Sequence, residues 1–123
     1  MHNFKKLTIW SDSLQLSVLV YKYTSQFPET EKFGLISQMR RASVSIASNI
    51  AEGSGRSSDK DFCRFLDMAI SSSFELETQV EISKEMNFLN EEDYWLIIEN
   101  CSLVQKKIYA FRKNILNSIQ EKS

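Results

Sequence analysis

Apolar and small residues recur at helical spacing along most of the chain. In the third segment they repeat at alternating steps of four and three, at Phe62, Leu66, Ala69, Ser73, Leu76, Val80 and Ser83. The last segment has the same rhythm, at Tyr94, Ile97, Cys101, Val104, Ile108, Phe111 and Ile115. This is the a/d spacing of coiled-coil-like helix packing. Because the two-residue alternation of strands is rare by comparison, the pattern predicts an all-α protein.

The first segment has two apolar arcs instead of one. The first arc contains Trp10, Leu14, Val18 and Tyr21, and the second contains Leu16, Val20, Tyr23 and Phe27. So wide an apolar surface predicts that this helix contacts more than one neighbour.

Capping and turn residues divide the chain into four helices of about 8–26, 31–53, 58–86 and 91–119. Pro28 ends the first helix, because the residue before proline resists the α region. Thr30 is expected to cap the second helix, and Gly53 to end it in the left-handed C′ conformation. Three later residues are expected to cap the helices around them: Ser58, Asn87 and Asn90. Long helices joined by short turns pack most simply as an up-down-up-down four-helix bundle.

The second helix combines an apolar stripe of Leu35, Ala42, Ile46 and Ile50 with a polar stripe beside it. The polar residues are Gln38, Arg41, Ser45, Asn49 and Glu52. One interpretation is a buried hydrogen-bond network that includes Ser72 and Glu75 of the third helix. In it Arg41 pairs with Glu75, since a buried guanidinium without a partner costs several kcal/mol. The other interpretation is a binding site for a ligand or an RNA phosphate.

The many small residues in the segment 33–53 suggest that another backbone passes close to the second helix. The chain has 123 residues, which fits one domain spanning 1–123. Its formal net charge of −1 gives no global attraction to nucleic acid or to an anionic membrane.

The sequence offers little for catalysis or for metal binding. His2 is the only histidine and lies at the terminus, where we expect mobility. Without an ExxH motif, Glu52, Glu75, Glu77 and Glu81 do not form a di-metal pattern. Cys63 and Cys101 are expected to be free buried thiols, with a disulfide as the alternative. We therefore expect no enzyme, no cofactor and no small-molecule substrate.

No apolar run approaches the roughly 20 residues that span a bilayer. The first ten residues also lack the apolar core of a signal peptide. A cytoplasmic protein without membrane contact is expected.

Eight basic residues form loose clusters and are the candidates for nucleic-acid contact: Arg40, Arg56, Lys60, Arg64, Lys106, Lys107, Arg112 and Lys113. Arg40 is the best of them, because it lies on the other side of its helix from Arg41. The alternative is that these residues are ordinary solvated charges.

Two stretches, FPETEKFGLISQMRRASVSIASNIAEGSGR at 27–56 and DFCRFLDMAISSSFELETQ at 61–79, resemble the four helix bundle protein family. This family is also called the large-subunit ribosomal RNA intervening-sequence proteins, and is bacterial. The resemblance implies a left-handed antiparallel four-helix bundle that assembles as a homopentamer. The accessory protein of diversity-generating retroelements is related to this family. That protein resembles a basic pentamer that binds a reverse transcriptase and the RNA of the enzyme.

Some apolar residues lie outside one inward stripe per helix and would leave a large exposed patch on a monomer: Ile9, Leu16, Tyr23, Ile36, Val44 and Phe65. A cyclic ring would bury such a patch between subunits. The leading hypothesis is a non-enzymatic homo-oligomer, expected to be a pentamer, that binds structured RNA or DNA. The alternative is an accessory subunit that binds a protein partner, such as a reverse transcriptase, without nucleic-acid affinity of its own.

Overall fold

The computed structural model describes residues 2–122, with side chains described up to residue 120. Within this range it contains four α-helices and no strand: α1 Thr8–Thr24, α2 Leu35–Ser54, α3 Asp59–Glu85 and α4 Glu91–Lys122. Two short 3-10 helices, Phe4–Lys6 and Glu29–Glu31, precede α1 and α2. The prediction of an all-α protein with four helices is confirmed.

Helices that are consecutive in the chain run antiparallel. Between α1 and α2, Ser17 bonds Ser43, whereas Thr24, further along α1, bonds Arg40, earlier in α2. The same reversal holds for the pairs Ser45–Ser72 and Met39–Ser83, and for Tyr94–Glu81 and Arg112–Asp67. Because α1 also packs against α4, the four helices enclose one apolar core. The left-handed twist of the bundle stays a prediction.

The core side of α3 and α4 is the one that the a/d spacing predicts. All seven residues of the α3 series are buried, including Ser73 and Ser83. In the α4 series every residue is buried except Phe111, which is half-buried and packs against the core.

In α1, the second apolar arc faces the core and the first faces outward, apart from Trp10, which is half-buried and packs against the core. Leu16 and Val20 are buried, whereas Leu14, Val18 and Tyr21 are 41%, 58% and 44% exposed. The residues predicted to lie outside the core were therefore largely the wrong ones. Ile9, Leu16 and Phe65 are buried, Tyr23 and Ile36 are half-buried, and Val44 remains exposed. Hydrophobicity alone does not distinguish the two arcs, because both are continuous.

Helix α2 begins at Leu35, four residues after the predicted start. Residues Glu29–Glu31 form a 3-10 turn instead, so Thr30 does not cap α2. The backbone N–H of Leu35 donates to the Glu31 carboxylate at 3.2 Å. A negative side chain is favourable there, because the first turn of a helix has unpaired N–H groups.

Gly53 lies inside α2, because the helix continues to Ser54, and its φ is not positive. The predicted left-handed C′ conformation is wrong. A Cβ on Gly53 would lie 2.6 Å from Cβ of Phe65 and 2.9 Å from Cδ1 of Phe62. Gly53 is therefore required by the close approach of α2 and α3, whereas the small residues Ala47, Ser48 and Ala51 line a surface groove beside α1.

The other three capping predictions agree with the structure. The side chain of Ser58 accepts from the N–H of Asp61 at 3.1 Å, and that of Asn90 accepts from the N–H of Asp93 at 2.7 Å. Asn87 follows α3 with a φ of 62°, the left-handed conformation that glycine often supplies.

Candidate interaction surfaces

Part of the predicted polar network between α2 and α3 is formed. The hydroxyls of Ser45 and Ser72 are 2.9 Å apart, so that one donates to the other. The Nδ2 group of Asn49 donates to the carbonyl oxygen and to Oγ of Ser45, at 2.8 and 3.0 Å. The other predicted members are exposed and do not join these three: Gln38, Arg41, Glu52 and Glu75.

The two neighbouring arginines of α2 have the opposite roles to those predicted. Arg41 is exposed, and among the residues that the structure describes its guanidinium has no ion pair with Glu75. Arg40 is half-buried, and its Nε donates to Oγ1 of Thr24 at 3.0 Å. It also lies over the ring of Tyr21, 4.6 Å from the centroid. Helical spacing placed Arg41 in the polar stripe and Arg40 on the other side of the helix, but the contact with α1 holds Arg40 and leaves Arg41 exposed.

Most of the basic residues predicted to contact nucleic acid are engaged inside the chain. Arg40 is bound to Thr24, and four others form ion pairs with nearby carboxylates: Arg56–Glu52, Arg64–Asp61, Lys107–Asp12 and Arg112–Asp67. The hydrogen bond to Asp67 raises the pKa of Arg112. Among the described side chains, three of the eight candidates remain exposed without such a partner: Lys60, Lys106 and Lys113.

The basic cluster at the α2–α3 turn is also locally neutral. The guanidinium groups of Arg56 and Arg64 lie 4.6 and 4.7 Å from the ring centroid of Phe65, and both are within 4 Å of the Asp61 carboxylate. Glu52 and Asp59 add two further negative charges beside Arg56, Lys60 and Arg64. One phosphate would therefore find no net positive charge at this turn.

Over the whole bundle, however, charge is divided between the two ends. We define height as position along the long axis of the bundle. Contacts between the helices place four residues about halfway along this axis: Leu16, Ser45, Ser72 and Lys106. We call the end of the bundle that contains the α2–α3 turn the turn end. It comprises residues 2–15, 46–71 and 107–120, with eight basic and five acidic side chains. The opposite end, here the far end, has five basic and ten acidic side chains in 17–44 and 73–105. A net charge near zero conceals this separation.

An apolar groove runs along the outside of α1 and α2. Its far-end part has a volume of about 630 Å³ and contains the charged residues Lys32, Arg40 and Arg41, and no acidic residue among those described. Its other part, of about 260 Å³, lies between Trp10 and Leu14 of α1 and the small residues Ala47, Ser48 and Ala51 of α2. We call this surface the α1–α2 groove.

Phe33 is the most exposed apolar side chain beside the α1–α2 groove. It lies in the connection before α2 and is 87% exposed. Val44, 42% exposed, lines both parts of the groove and joins them.

A second apolar surface lies on the outside of α4. Trp95, Leu96, Leu103 and Tyr109 are 48%, 40%, 48% and 51% exposed. A hollow of about 420 Å³ lies among Trp95, Leu103 and four further residues of the same helix: Ile98, Glu99, Ser102 and Lys106. We call this surface the α4 strip.

The described residues present no arrangement of side chains typical of a catalytic or metal site. No group of three or more metal-ligating side chains occurs among them. The backbone N–H of His2 donates to the carbonyl oxygen of Ser54, and its ring packs on Phe62, 5.1 Å between centroids. His2 is thus held against the bundle, contrary to the expected mobility. Cys63 and Cys101 are buried free thiols, and burial raises the pKa of Cys101 to about 12.

None of the helices, as far as the structure describes them, combines the length and the apolar character that a membrane crossing requires.

The fold and these surfaces define a four-helix-bundle protein with two outward apolar faces. The chain belongs to the 23S rRNA-intervening sequence protein family, whose model matches residues 5–110. A similar solved structure is a protein of unknown function from the S23 ribosomal protein family of Bacteroides thetaiotaomicron. The two chains are 25% identical and have a TM-score of 0.78, over 86% of this chain and 99% of that one. No curated protein matches this chain. Neither the family's description nor that of the solved structure names an enzymatic activity.

Proposed function

We propose that this chain is a non-enzymatic interaction protein that assembles with copies of itself into a closed ring. The observation that carries the proposal is the presence of two apolar surfaces, the α1–α2 groove and the α4 strip, on different helices. A contact between two different surfaces of identical chains produces a ring when the rotation closes. The ring is a pentamer by resemblance to the family.

The exposed apolar area supports self-assembly. Scattered apolar side chains on a surface are normal, but contiguous patches of several hundred Å² mark interaction sites. Leu14, Val18 and Tyr21 continue along α1 for two helical turns, with Val44 and Phe33 beside them. Aromatic side chains are the ones enriched at binding hot spots.

A ring would also give the molecule a surface for structured RNA or DNA. Both apolar surfaces run lengthwise along the bundle, so the rotation axis of the ring is roughly parallel to the helices. Every turn end then lies on the same face of the ring. Each copy contributes a net excess of three positive charges, and Lys5, Lys6, Lys60 and Lys113 are exposed there. Phosphate neutralisation by such residues supplies most non-specific affinity for nucleic acid.

Two measurements test this proposal in order. Multi-angle light scattering of the full chain should give a subunit count above one that is constant over a range of concentrations. Filter binding to a structured RNA at several salt concentrations should then give an affinity that falls steeply with salt. A monomer would overturn the ring. An assembled ring that does not bind RNA or duplex DNA at low salt would overturn the nucleic-acid role and leave the ring standing.

A second candidate function is that of an accessory subunit for another protein, such as a reverse transcriptase, without nucleic-acid affinity of its own. It is favoured by the internal engagement of Arg40, Arg56, Arg64, Lys107 and Arg112. Charge reversal at Lys60 and Lys113 distinguishes the two functions. It should weaken RNA binding strongly in the first case, whereas in the second case neither wild type nor the variant binds RNA.

A further inference from the structure

We infer that the α1–α2 groove of one copy receives the α4 strip of the next copy, with the two bundles parallel and Arg41 paired with Glu99 of the neighbouring copy. The inference rests on the proposed self-assembly and specifies which surfaces and which residues meet.

The two surfaces are complementary in charge. At the far end, the charged residues of the α1–α2 groove are all basic, namely Lys32, Arg40 and Arg41. The corresponding part of the α4 strip carries the exposed carboxylates Glu92 and Glu99, while the basic residue of the same hollow, Lys106, lies halfway along the bundle. Of the three basic groove residues, Arg40 is held by Thr24, which leaves Lys32 and Arg41 for a partner. Opposite charges across an interface fix its register and exclude like-charged pairings.

The complementary charges also lie at matching heights. Arg41 is four residues from Ser45 towards the far end, which is about 6 Å along a helix. Ser45 bonds Ser72, and Ser72 lies at about the height of Lys106 and Lys107, because Arg112 bonds Asp67. Arg41 therefore lies at about the height of Leu103, one helical turn from Glu99. Rotation about an axis parallel to the helices does not change the height of a residue. Arg41 of one copy is therefore about one helical turn from Glu99 of the next, a distance that an arginine side chain can span.

Phe33 provides the apolar anchor of this contact. It is 87% exposed, so its ring adds almost nothing to the core of its own chain. The hollow beside Trp95 and Leu103 on the α4 strip, of about 420 Å³, is large enough for a phenyl ring. Both Phe33 and Trp95 lie at the far end of the bundle. A large aromatic side chain that inserts into a pocket is the typical centre of a binding interface.

A second copy of the chain is the occupant that these observations favour. The groove and the strip occur on one molecule, on different helices, with opposite charges within about one helical turn of each other along the bundle. A different protein would have to reproduce this match independently. Occupation of the groove by another protein is an outcome that the test below detects, because the chain alone would then remain monomeric.

Charge exchange tests the pairing. We expect wild type to be oligomeric by light scattering, and R41E and E99R each to weaken association by about ten-fold or more. The double variant R41E/E99R should recover most of the association. E85R is the matched control, because Glu85 is an exposed carboxylate at the far end, outside both surfaces, and it should assemble like wild type.

The outcomes separate the pairing from the ring itself. If R41E and E99R assemble like wild type, or if the double variant does not recover, the pairing is wrong although self-assembly stands. If wild type is a monomer at every concentration, the proposed function fails as well. F33A adds a second readout. We expect it to dissociate, while its helical content and the melting of the dissociated subunit match those of wild type. Wild-type assembly by F33A would contradict the anchor.

Discussion

Nε of Arg40 donates a hydrogen bond to Oγ1 of Thr24 across the contact between α1 and α2, at 3.0 Å. Thr24 is fully buried near the end of α1, and its hydroxyl in turn donates to the carbonyl oxygen of Val20 at 2.7 Å. The planar guanidinium also stacks on Tyr21. Arg40 thus fastens the end of α1 to α2, while Arg41, the next residue, leaves its charge in solvent.

Replacing Arg40 with Met should lower the free energy of unfolding by about 1–2 kcal/mol, because a hydrogen bond and a cation–π contact are lost. Arg41→Met is the matched control and should change it by less than about 0.5 kcal/mol. Chemical denaturation measures both, at a dilution where scattering shows dissociated subunits, since association would add its own contribution. Equal losses in the two variants would contradict the assignment.

Gly53→Ala should destabilise the bundle by about 1–2 kcal/mol. The new methyl group would meet Cβ of Phe65 at 2.6 Å, and overpacking of this kind outweighs the gain in helix propensity. Gly55→Ala is the control, because its Cβ would make only an ordinary contact of 3.6 Å with the carbonyl oxygen of Glu52. Urea denaturation gives the free energy of unfolding of both variants. If Gly53→Ala is as stable as Gly55→Ala, then α2 and α3 can move apart without loss of stability.

Alkaline pH should remove the contribution of Tyr94 to stability. Its hydroxyl donates to Glu81, and this hydrogen bond, together with burial, raises the pKa of Tyr94 from 10.0 to about 12. A raised pKa means that the folded state holds the proton more tightly, so the contribution is complete below pH 10 and is lost as the pH rises towards 12.

The measurement is the difference in unfolding free energy between wild type and Tyr94→Phe, from pH 8 to pH 12. Taking the difference cancels the titration of lysines and of the other tyrosines. We expect the advantage of wild type to shrink above about pH 10. A difference that is constant with pH would mean that the Tyr94–Glu81 bond has no energetic role.

Both thiols should be unreactive in the native protein at pH 8. Burial is the main cause that raises the pKa of Cys63, and it raises that of Cys101 to about 12, so neither forms the reactive thiolate. Alkylation with iodoacetamide followed by mass spectrometry should find no modified cysteine in the native protein and two after unfolding without reductant. A chain that stays unmodified after unfolding would contain a disulfide instead.

The a/d positions of α3 and α4 could be predicted from the sequence, and the core of α1 could not. In α3 every a/d position is buried, although Cys63, Phe65, Ile70 and Gln79 beside them are buried as well. In α1, Leu14 and Leu16 belong to two equally apolar arcs. A surface suited to contact another chain has the same composition as a core, and the pattern of one chain does not separate them.

The polar residues of α2 show a different limit. The sequence assigned Ser45 and Ser72 to one polar network without pairing them, and the structure shows that their hydroxyls meet. Helical spacing failed for Arg41, whose long side chain has many rotamers and can point to either side of the helix. The start of α2 was also misplaced, because Glu29–Glu31 form a 3-10 turn before it, from which Glu31 accepts a hydrogen bond from the N–H of Leu35.

The unequal division of charge along the bundle makes the molecule an electric dipole. With an excess of three positive charges at the turn end and of five negative charges at the far end, the chain will rotate in the field of a polyanion before it touches it. The turn end then leads on approach, although the chain as a whole is slightly acidic. Ionic strength should accordingly act on the rate of encounter more than on the lifetime of the complex, and the orientation of arrival is set by the charges rather than by any one contact.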